Sequence, residues 1–469
     1  MAFSSVQLLF IFLPLSLAVY WLLPKALRNG ALGAFSLLFF AWAGLKGAAI
    51  LLALAAITWL GGLLLEKLPR KKPLLILLIA AHLAVLAAFK YAGFAARSIN
   101  ALVPDLLPVF APALPLGISF YIFAAIGYLA DVSGGKVAAA RSPFRFFVFL
   151  AFFGHGPSGP IVRYDQQLPC LDAKAAERQV SLDRFCYGIK RFVLGLAKKA
   201  IIADQLALIY SRVTSVPAAT VPAPALVLGY LAYMMQLYFD FSGYSDMAIG
   251  IGSFFGLELP ENFNYPYLSC SVGEYWRRWH MSLSGWFRDY VYIPLGGNRV
   301  SKAKWFRNIF IVWLLTGLWH GAAWTFILWG LFFAVFLTVE KLWYGQALAQ
   351  TRFLKHLYVL LLIAVSFVIF DAASVSDAFR TIGSLFGLGG LPRSDVLARY
   401  YFDSYSGVFL VAIVGATPLP AKIVRQFSED GPGKKIMSVV EPVVLLGLLA
   451  VVTAYLVDGS FNPFLYFRF

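Results

Sequence analysis

The chain has 469 residues, 60% of them hydrophobic and 13% charged. That balance excludes a soluble globular protein and predicts an integral membrane protein: Leu106–Ala130, Val213–Phe239 and Asn308–Val339 are charge-free windows longer than the ~20 residues that cross a hydrocarbon core. A net charge of +16 would suit nucleic acid, but the basic residues are spread through loops between apolar runs, so the expected partners are membrane lipid and an anionic ligand, with no nucleic acid.

The first span is Val6–Leu23, preceded by no basic n-region, so it is read as retained; Lys25 and Arg28 follow it and mark a cytoplasmic loop. Leu32–Ala43 and Gly47–Leu65 follow, then the basic run Lys67, Arg70, Lys71 and Lys72, which marks the same side again. Pro73–Phe89 returns outward and Leu106–Ala130 comes back, although PALPLGISFY within that last window holds two prolines and a glycine that break a helix. From Pro143 to Arg163 an aromatic run collapses into Gly154, Gly156, Pro157, Gly159 and Pro160, which predicts a re-entrant segment lining a cavity, with His155 inside it.

Lys174–Lys199 reads as an amphipathic helix on the inner leaflet. Val221–Ile251 is a long span ending in FDFSGYSDMAIG, where Asp240 and Asp246 must either pair with nearby arginines or face water and ligand. Asn308–Val339 is too long for one helix, and a break is expected at His320 beside Gly317 and Gly321. Lys302, Lys304 and Arg307 form a second cytoplasmic cluster before it. Leu357–Phe370, Phe409–Ile423 and Val443–Val457 bring the total to about eleven or twelve spans. The charge pattern puts both termini outside the cytoplasm.

Tyr275–Gly297, YWRRWHMSLSGWFRDYVYIPLGG, carries the densest chemistry. Wound as one helix it aligns Arg277, His280, Ser284 and Arg288 on one face, beside a stripe of Trp276, Trp279, Leu283, Trp286, Phe287 and Tyr290. Such a helix belongs at a membrane boundary or on a polar cavity. TGLWHGAAW at Thr316–Trp324 answers it, with His320 expected between Trp319 and Trp324. An imidazole stripped of water by tryptophans favours its neutral form, which is a competent general base for a hydroxyl attacking a thioester. The bland alternative is a core histidine bonded to a backbone carbonyl. Arg277, Arg278, Arg288, Lys302 and Lys304 either hold a phosphorylated carrier such as coenzyme A or bind lipid phosphate. Cys170, Cys186 and Cys270 form no C-x-x-C pair and the five histidines show no H-E-x-x-H spacing, so neither a disulfide framework nor a metal site is expected.

PLGISFYIFAAIGYLADV, GPIVRY, YFDFSGYSDMAIGIG, LPENFNYPY, the WRRWHMSLSGWFRDYVYIPLGG run and TGLWHGAAWTFILWG together resemble the signatures of the membrane-bound O-acyltransferases. The likeness is greatest to the bacterial branch of alginate O-acetyltransferase membrane subunits and teichoic acid D-alanyl transferases. It covers residues 114–330 and returns at the C-terminus, within a single transmembrane domain of residues 1–469. The histidine of GHGPSGP departs from the pattern, so His155 receives no family role.

The resemblance implies an all-α polytopic fold around a central tunnel, with His320 as the catalytic histidine and His280 as its second functional histidine. It implies acetyl-coenzyme A as donor on the cytoplasmic side of a bacterial inner membrane, an exopolysaccharide acceptor outside, and an SGNH-type acetyltransferase partner. FLYFRF at Phe464–Phe469 resembles a terminal motif of that branch, in which Tyr466 would relay the acyl group; interfacial anchoring is the alternative. A transporter or channel for an acylated or anionic solute is the competing class, and no internal repeat supports it.

Overall fold

The structure is a computed structural model that describes residues 3–156, 158–171, 181–215, 221–388, 390, 396–428 and 432–458. Tyr466, the FLYFRF terminus and the first part of the Lys174–Lys199 stretch lie outside the described residues. The chain is helical, and among the described residues the only β pairing is an isolated antiparallel bridge between Phe263 and Trp279.

The first half holds α1 (Leu13–Leu22), α2 (Arg28–Ala43), α3 (Leu45–Lys67), α4 (Lys71–Lys90), α5 (Ala92–Asn100), α6 (Ile118–Ser133), α7 (Pro143–Ala151), α8 (Tyr164–Leu171), α9 (Leu182–Ala197) and α10 (Asp204–Thr214). The second holds α11 (Ala223–Phe254), α12 (Val272–Arg278), α13 (Met281–Phe287), α14 (Lys302–His320), α15 (Trp324–Val339), α16 (Gly345–Gln350) and α17 (Leu354–Asp371). It ends with α18 (Val375–Leu385), α19 (Val396–Gly415), α20 (Leu419–Ser428) and α21 (Pro432–Val457).

Six helices among the described residues are long and apolar enough to cross a membrane, or seven if α19 and α20, bent by 70°, make one span. The protein is therefore a multi-pass membrane protein. The larger number expected from sequence included segments that are short or interrupted. The Leu106–Ala130 window is one: residues 104–117 form no helix, and α6 starts only after Gly117, whose φ of 71° suits a residue without a Cβ. Prolines at 104, 108, 112 and 115 remove the amide donors a helix would need there.

Residues 143–163 do not form one continuous helix. Ser142 caps α7 by accepting from the Arg145 amide at 3.4 Å, and the chain then runs through buried irregular backbone. Buried amides there need partners: Phe153 N–H donates to Ser36 Oγ at 3.1 Å and Ile161 N–H to Ser282 Oγ at 3.0 Å. His155 is buried against the Phe152 ring.

Antiparallel α9 and α11 touch backbone to backbone. A Cβ on Gly188 would lie 2.9 Å from the Gly250 carbonyl oxygen, and one on Gly243 would lie 2.7 Å from that of Gly195. The close approach lets short ion pairs form along the seam: Lys199 with Asp240 at 2.7 Å and with Asp204 at 2.8 Å, and Lys198 with Asp246 at 2.6 Å. Two apolar cores result. One gathers α1–α4, α6–α9, the second half of α11, α13 and α21 with Trp319, and the other gathers α10, the first half of α11, α12, α15, α17 and α19 with Trp276, Trp279, Trp313 and Trp329. His280 and His320 sit where the two cores meet.

Candidate active site

The stretch around His280 is not one helix. α12 stops at Arg278, Trp279 is extended, and His280 takes the left-handed conformation (φ 46°, ψ 53°) before α13 begins. For a residue with a side chain this conformation costs on the order of 1–3 kcal/mol, and it persists only where tertiary contacts dictate it. Here residues 262–264 dictate it. Asn264 N–H donates to the Arg278 carbonyl at 2.9 Å, Met281 N–H donates to the Asn262 carbonyl at 3.0 Å, and Phe263 bridges to Trp279. The alignment of Arg277, His280, Ser284 and Arg288 on one face is thereby broken. Arg277 is exposed, and Arg278 turns back to Glu274 at 2.8 Å and to the Asn264 carbonyl at 3.1 Å.

The kink drives the His280 ring inward. It packs edge-on to Phe241 with centroids 4.8 Å apart and lies 5.8 Å from the Trp319 ring. Its Nδ1 is 3.2 Å from Asn262 Oδ1, the oxygen that also accepts from the Ser282 amide at 3.1 Å and the Ser282 hydroxyl at 2.9 Å. An oxygen receiving those donors is an acceptor, so His280 Nδ1 carries the proton and Nε2 keeps its lone pair. That Nε2 is buried and has no hydrogen-bond partner among the described residues.

His320 is the last residue of α14, and Gly321 begins the break expected from the sequence. Its Nδ1 lies 2.7 Å from the Thr316 carbonyl oxygen, which only accepts, so Nδ1 is protonated here too and Nε2 is the basic nitrogen. The ring is walled by Trp329 at 4.7 Å, Trp319 at 5.0 Å and Phe370 at 5.8 Å. The expected flank by Trp324 is incorrect: that ring is 58% exposed and packs on Phe94, because the turn after Gly321 carries it out of the core. Trp319 is thus the ring between the two imidazoles, touching both.

A cavity of about 180 Å³ is lined by Trp276, Leu283, Ser284, Phe287, Arg288, Tyr292, Ile309, Val312, Trp313 and Thr316; neither imidazole lines it, and Thr316 is its link to His320 one turn on. It brings Ser284 and Arg288 together with Thr316, whose carbonyl accepts the His320 hydrogen bond. At the rim Asp289 binds Arg288 at 2.6 Å and Arg163 at 2.5 Å. Burial opposes ionisation of Asp289, but the hydrogen bonds from Arg288 and Arg163 hold its carboxyl below the usual range. Arg163 also lies 5.6 Å over the Tyr290 ring, whose hydroxyl donates to Asp131 at 2.8 Å.

Asp240 and Asp246 are not gathered at this cavity; both are committed to ion pairs on the α9–α11 seam. The arginine pairing expected for them holds only for Asp246, which binds Arg191 as well as Lys198; the cation of Asp240 is Lys199. Two further groups serve the site without having been singled out from sequence. Asn262 lies inside LPENFNYPY, where only its motif signalled it. Lys90 and Tyr91, at the end of α4, donate to the Trp319 and Leu318 carbonyls. Among the described residues no three His, Cys, Asp or Glu side chains are grouped as for a metal.

The sequence profile described as MBOAT, the membrane-bound O-acyltransferase family, matches residues 137–376, which contain both histidines and the cavity lining. The chain belongs to the membrane-bound O-acyltransferase family. It is 36% identical over 505 residues to the probable alginate O-acetylase of Azotobacter vinelandii, covering 100% of both chains. It is 32% identical to the peptidoglycan O-acetyltransferase of Helicobacter pylori across 83% of this chain and 80% of that one. With the teichoic acid D-alanyltransferase of Bacillus subtilis it shares 34% identity over 48% of this chain and 58% of that protein. As an MBOAT protein the chain is an O-acyltransferase, and the matched segment contains both His280 and His320.

Proposed function

We propose that this O-acyltransferase moves an acetyl group from cytoplasmic acetyl-coenzyme A toward an extracytoplasmic polysaccharide, with His320 Nε2 as general base. The observation that carries the reading is the paired fixing of His320 Nδ1 on the Thr316 carbonyl and His280 Nδ1 on Asn262, which leaves two basic Nε2 atoms about one indole. In the transfer step His320 Nε2 takes the proton from an attacking hydroxyl as its oxygen bonds to the thioester carbon. The carbon–sulfur bond then breaks, and the proton leaves with the coenzyme A thiol. General bases of this kind contribute about 10²–10⁴-fold.

Donor entry is assigned to the cavity between Arg288 and Thr316, which suits a narrow thioester arm with its phosphates at the arginine rim. The basic starts of α4 (Lys71, Lys72) and α14 (Lys302, Lys304, Arg307) mark the cytoplasmic face of a bacterial inner membrane. His320 lies at the far end of α14, about 28 Å along a 19-residue helix. The polysaccharide acceptor is supported by the alginate and peptidoglycan named for the relatives. On this reading Tyr466 takes the acyl group at the outer mouth and an SGNH-type partner completes the transfer.

Vesicles carrying the protein, with labelled acetyl-coenzyme A on one side, test the scheme. Wild type should become labelled and pass the label on, His320→Ala should not be labelled while remaining folded, and Tyr466→Phe should block release to the acceptor. Wild-type labelling by both variants would remove the scheme and favour a transporter, whose flux does not need His320.

A further inference from the structure

The end of α14 poses a satisfaction problem, because the carbonyls of a helix's last turn have no intrahelical donor. Residues 317–319 solve it three different ways, and the Thr316 carbonyl before them takes a side-chain donor as well. The Thr316 carbonyl takes His320 Nδ1 at 2.7 Å, and that of Gly317 takes the Gly321 amide at 3.2 Å. The Leu318 carbonyl takes the Tyr91 hydroxyl at 2.7 Å, and the Trp319 carbonyl takes Lys90 Nζ. The last two donors come from another helix, 227 and 229 residues earlier in the chain.

Lys90 is an unusual choice of donor. Among the described residues it has no carboxylate within ion-pair distance, yet it is largely buried and lies 5.8 Å over the Trp319 ring. A partly buried ammonium without a counter-ion costs free energy. Its compensation here comes from the negative end of the α14 dipole and the indole face. Those two partners are the turn that carries His320 and the ring that separates it from His280.

We infer that Lys90 and Tyr91 are positioning residues that hold the last turn of α14 and so set the direction of His320 Nε2. The inference rests on His320 being the base. They act through the backbone, touching neither imidazole by any hydrogen bond, and therefore govern the chemical step and not donor binding.

Steady-state acetyl transfer in proteoliposomes tests this with Lys90→Met, Lys90→Arg, Tyr91→Phe and His320→Ala. Lys90→Met should lower kcat on the order of 10- to 100-fold, the scale of a small misplacement of a catalytic group, with KM for acetyl-coenzyme A within about twofold of wild type. Lys90→Arg, which keeps a charged donor, should restore most of kcat. Tyr91→Phe keeps shape, loses one hydrogen bond, and should lower kcat about fivefold; it decides the matter if Lys90→Met does not fold. Unchanged kcat in both folded variants, or a raised KM with kcat kept, overturns the inference while an inactive His320→Ala leaves the base assignment intact. Retained transfer by His320→Ala overturns the base assignment itself.

Discussion

Asn262 Oδ1 lies 3.2 Å from His280 Nδ1 while also receiving the amide and hydroxyl of Ser282, so one side-chain oxygen fixes both the ring and the start of the helix that follows it. Removing it strands a buried imidazole donor and releases the left-handed turn. Asn262→Ala should reduce acyl transfer about 10- to 100-fold, since an unsatisfied buried donor costs about 1–3 kcal/mol. Turnover measured alongside the detergent-solubilised melting curve checks it: loss of turnover with no loss of folded protein is expected. A variant with wild-type turnover would show that His280 needs no orientation.

The same pair shows what a sequence can and cannot disclose. The break at His320 was legible because Gly317, Gly321 and a helix too long for one span are all local signals. The kink at His280 was not, because the helical spacing of 275–297 is sound in isolation and is overruled by hydrogen bonds from residues 262–264. Carboxylate pairing in α11 was legible in kind, since intramembrane charge demands a partner. Its partner was not: Lys199 lies 41 residues from Asp240 in sequence and is delivered by the glycine crossing of α9 and α11. Lys90 at the tail of an apolar run looks like an ordinary interfacial lysine until the fold sets it against α14.

Arg288 stands at the cavity rim, 65% exposed at its side chain and bonded to Asp289. A phosphate arriving there would exchange that pairing for its own charge-assisted contacts. Arg288→Ala should raise KM for acetyl-coenzyme A about fivefold with kcat little changed, a modest effect because the group is exposed and screened. Raising salt should weaken donor binding in wild type more than in the variant. Initial-rate titrations at two ionic strengths measure both, and equal salt sensitivity would separate Arg288 from donor recognition.

Lys199 is 2% exposed and answers two carboxylates, Asp240 at 2.7 Å and Asp204 at 2.8 Å. Lys199→Met fills similar space but removes the cation that the two buried acids share. It should destabilise the protein by about 3–5 kcal/mol, and adding Asp240→Asn should recover part of that loss. Thermal unfolding in detergent of the single and double variants reads the coupling. If the two substitutions simply add, the seam is not the cooperative unit its geometry describes.

Gly330 bears on the site from the other side. α14 and α15 form a hairpin so close that a Cβ on Gly330 would collide with the Trp313 carbonyl, and one on Gly317 with that of Phe326. The colliding atoms are backbone, so they yield only if the helices part. Trp329, the neighbour of Gly330, lies 4.7 Å from the His320 ring, and any parting withdraws that wall from the imidazole. Gly330→Ala should therefore cost about 1–3 kcal/mol of stability through overpacking. It should also reduce kcat on the order of 100-fold, because displacement of about 1 Å is enough to misplace a catalytic group. Gly447→Ala is the matched control: nothing lies within 4 Å of a Cβ there, so it should leave turnover unchanged. If Gly330→Ala turns over like Gly447→Ala, the hairpin has slack, and the wall that Trp329 makes against His320 does not set the rate.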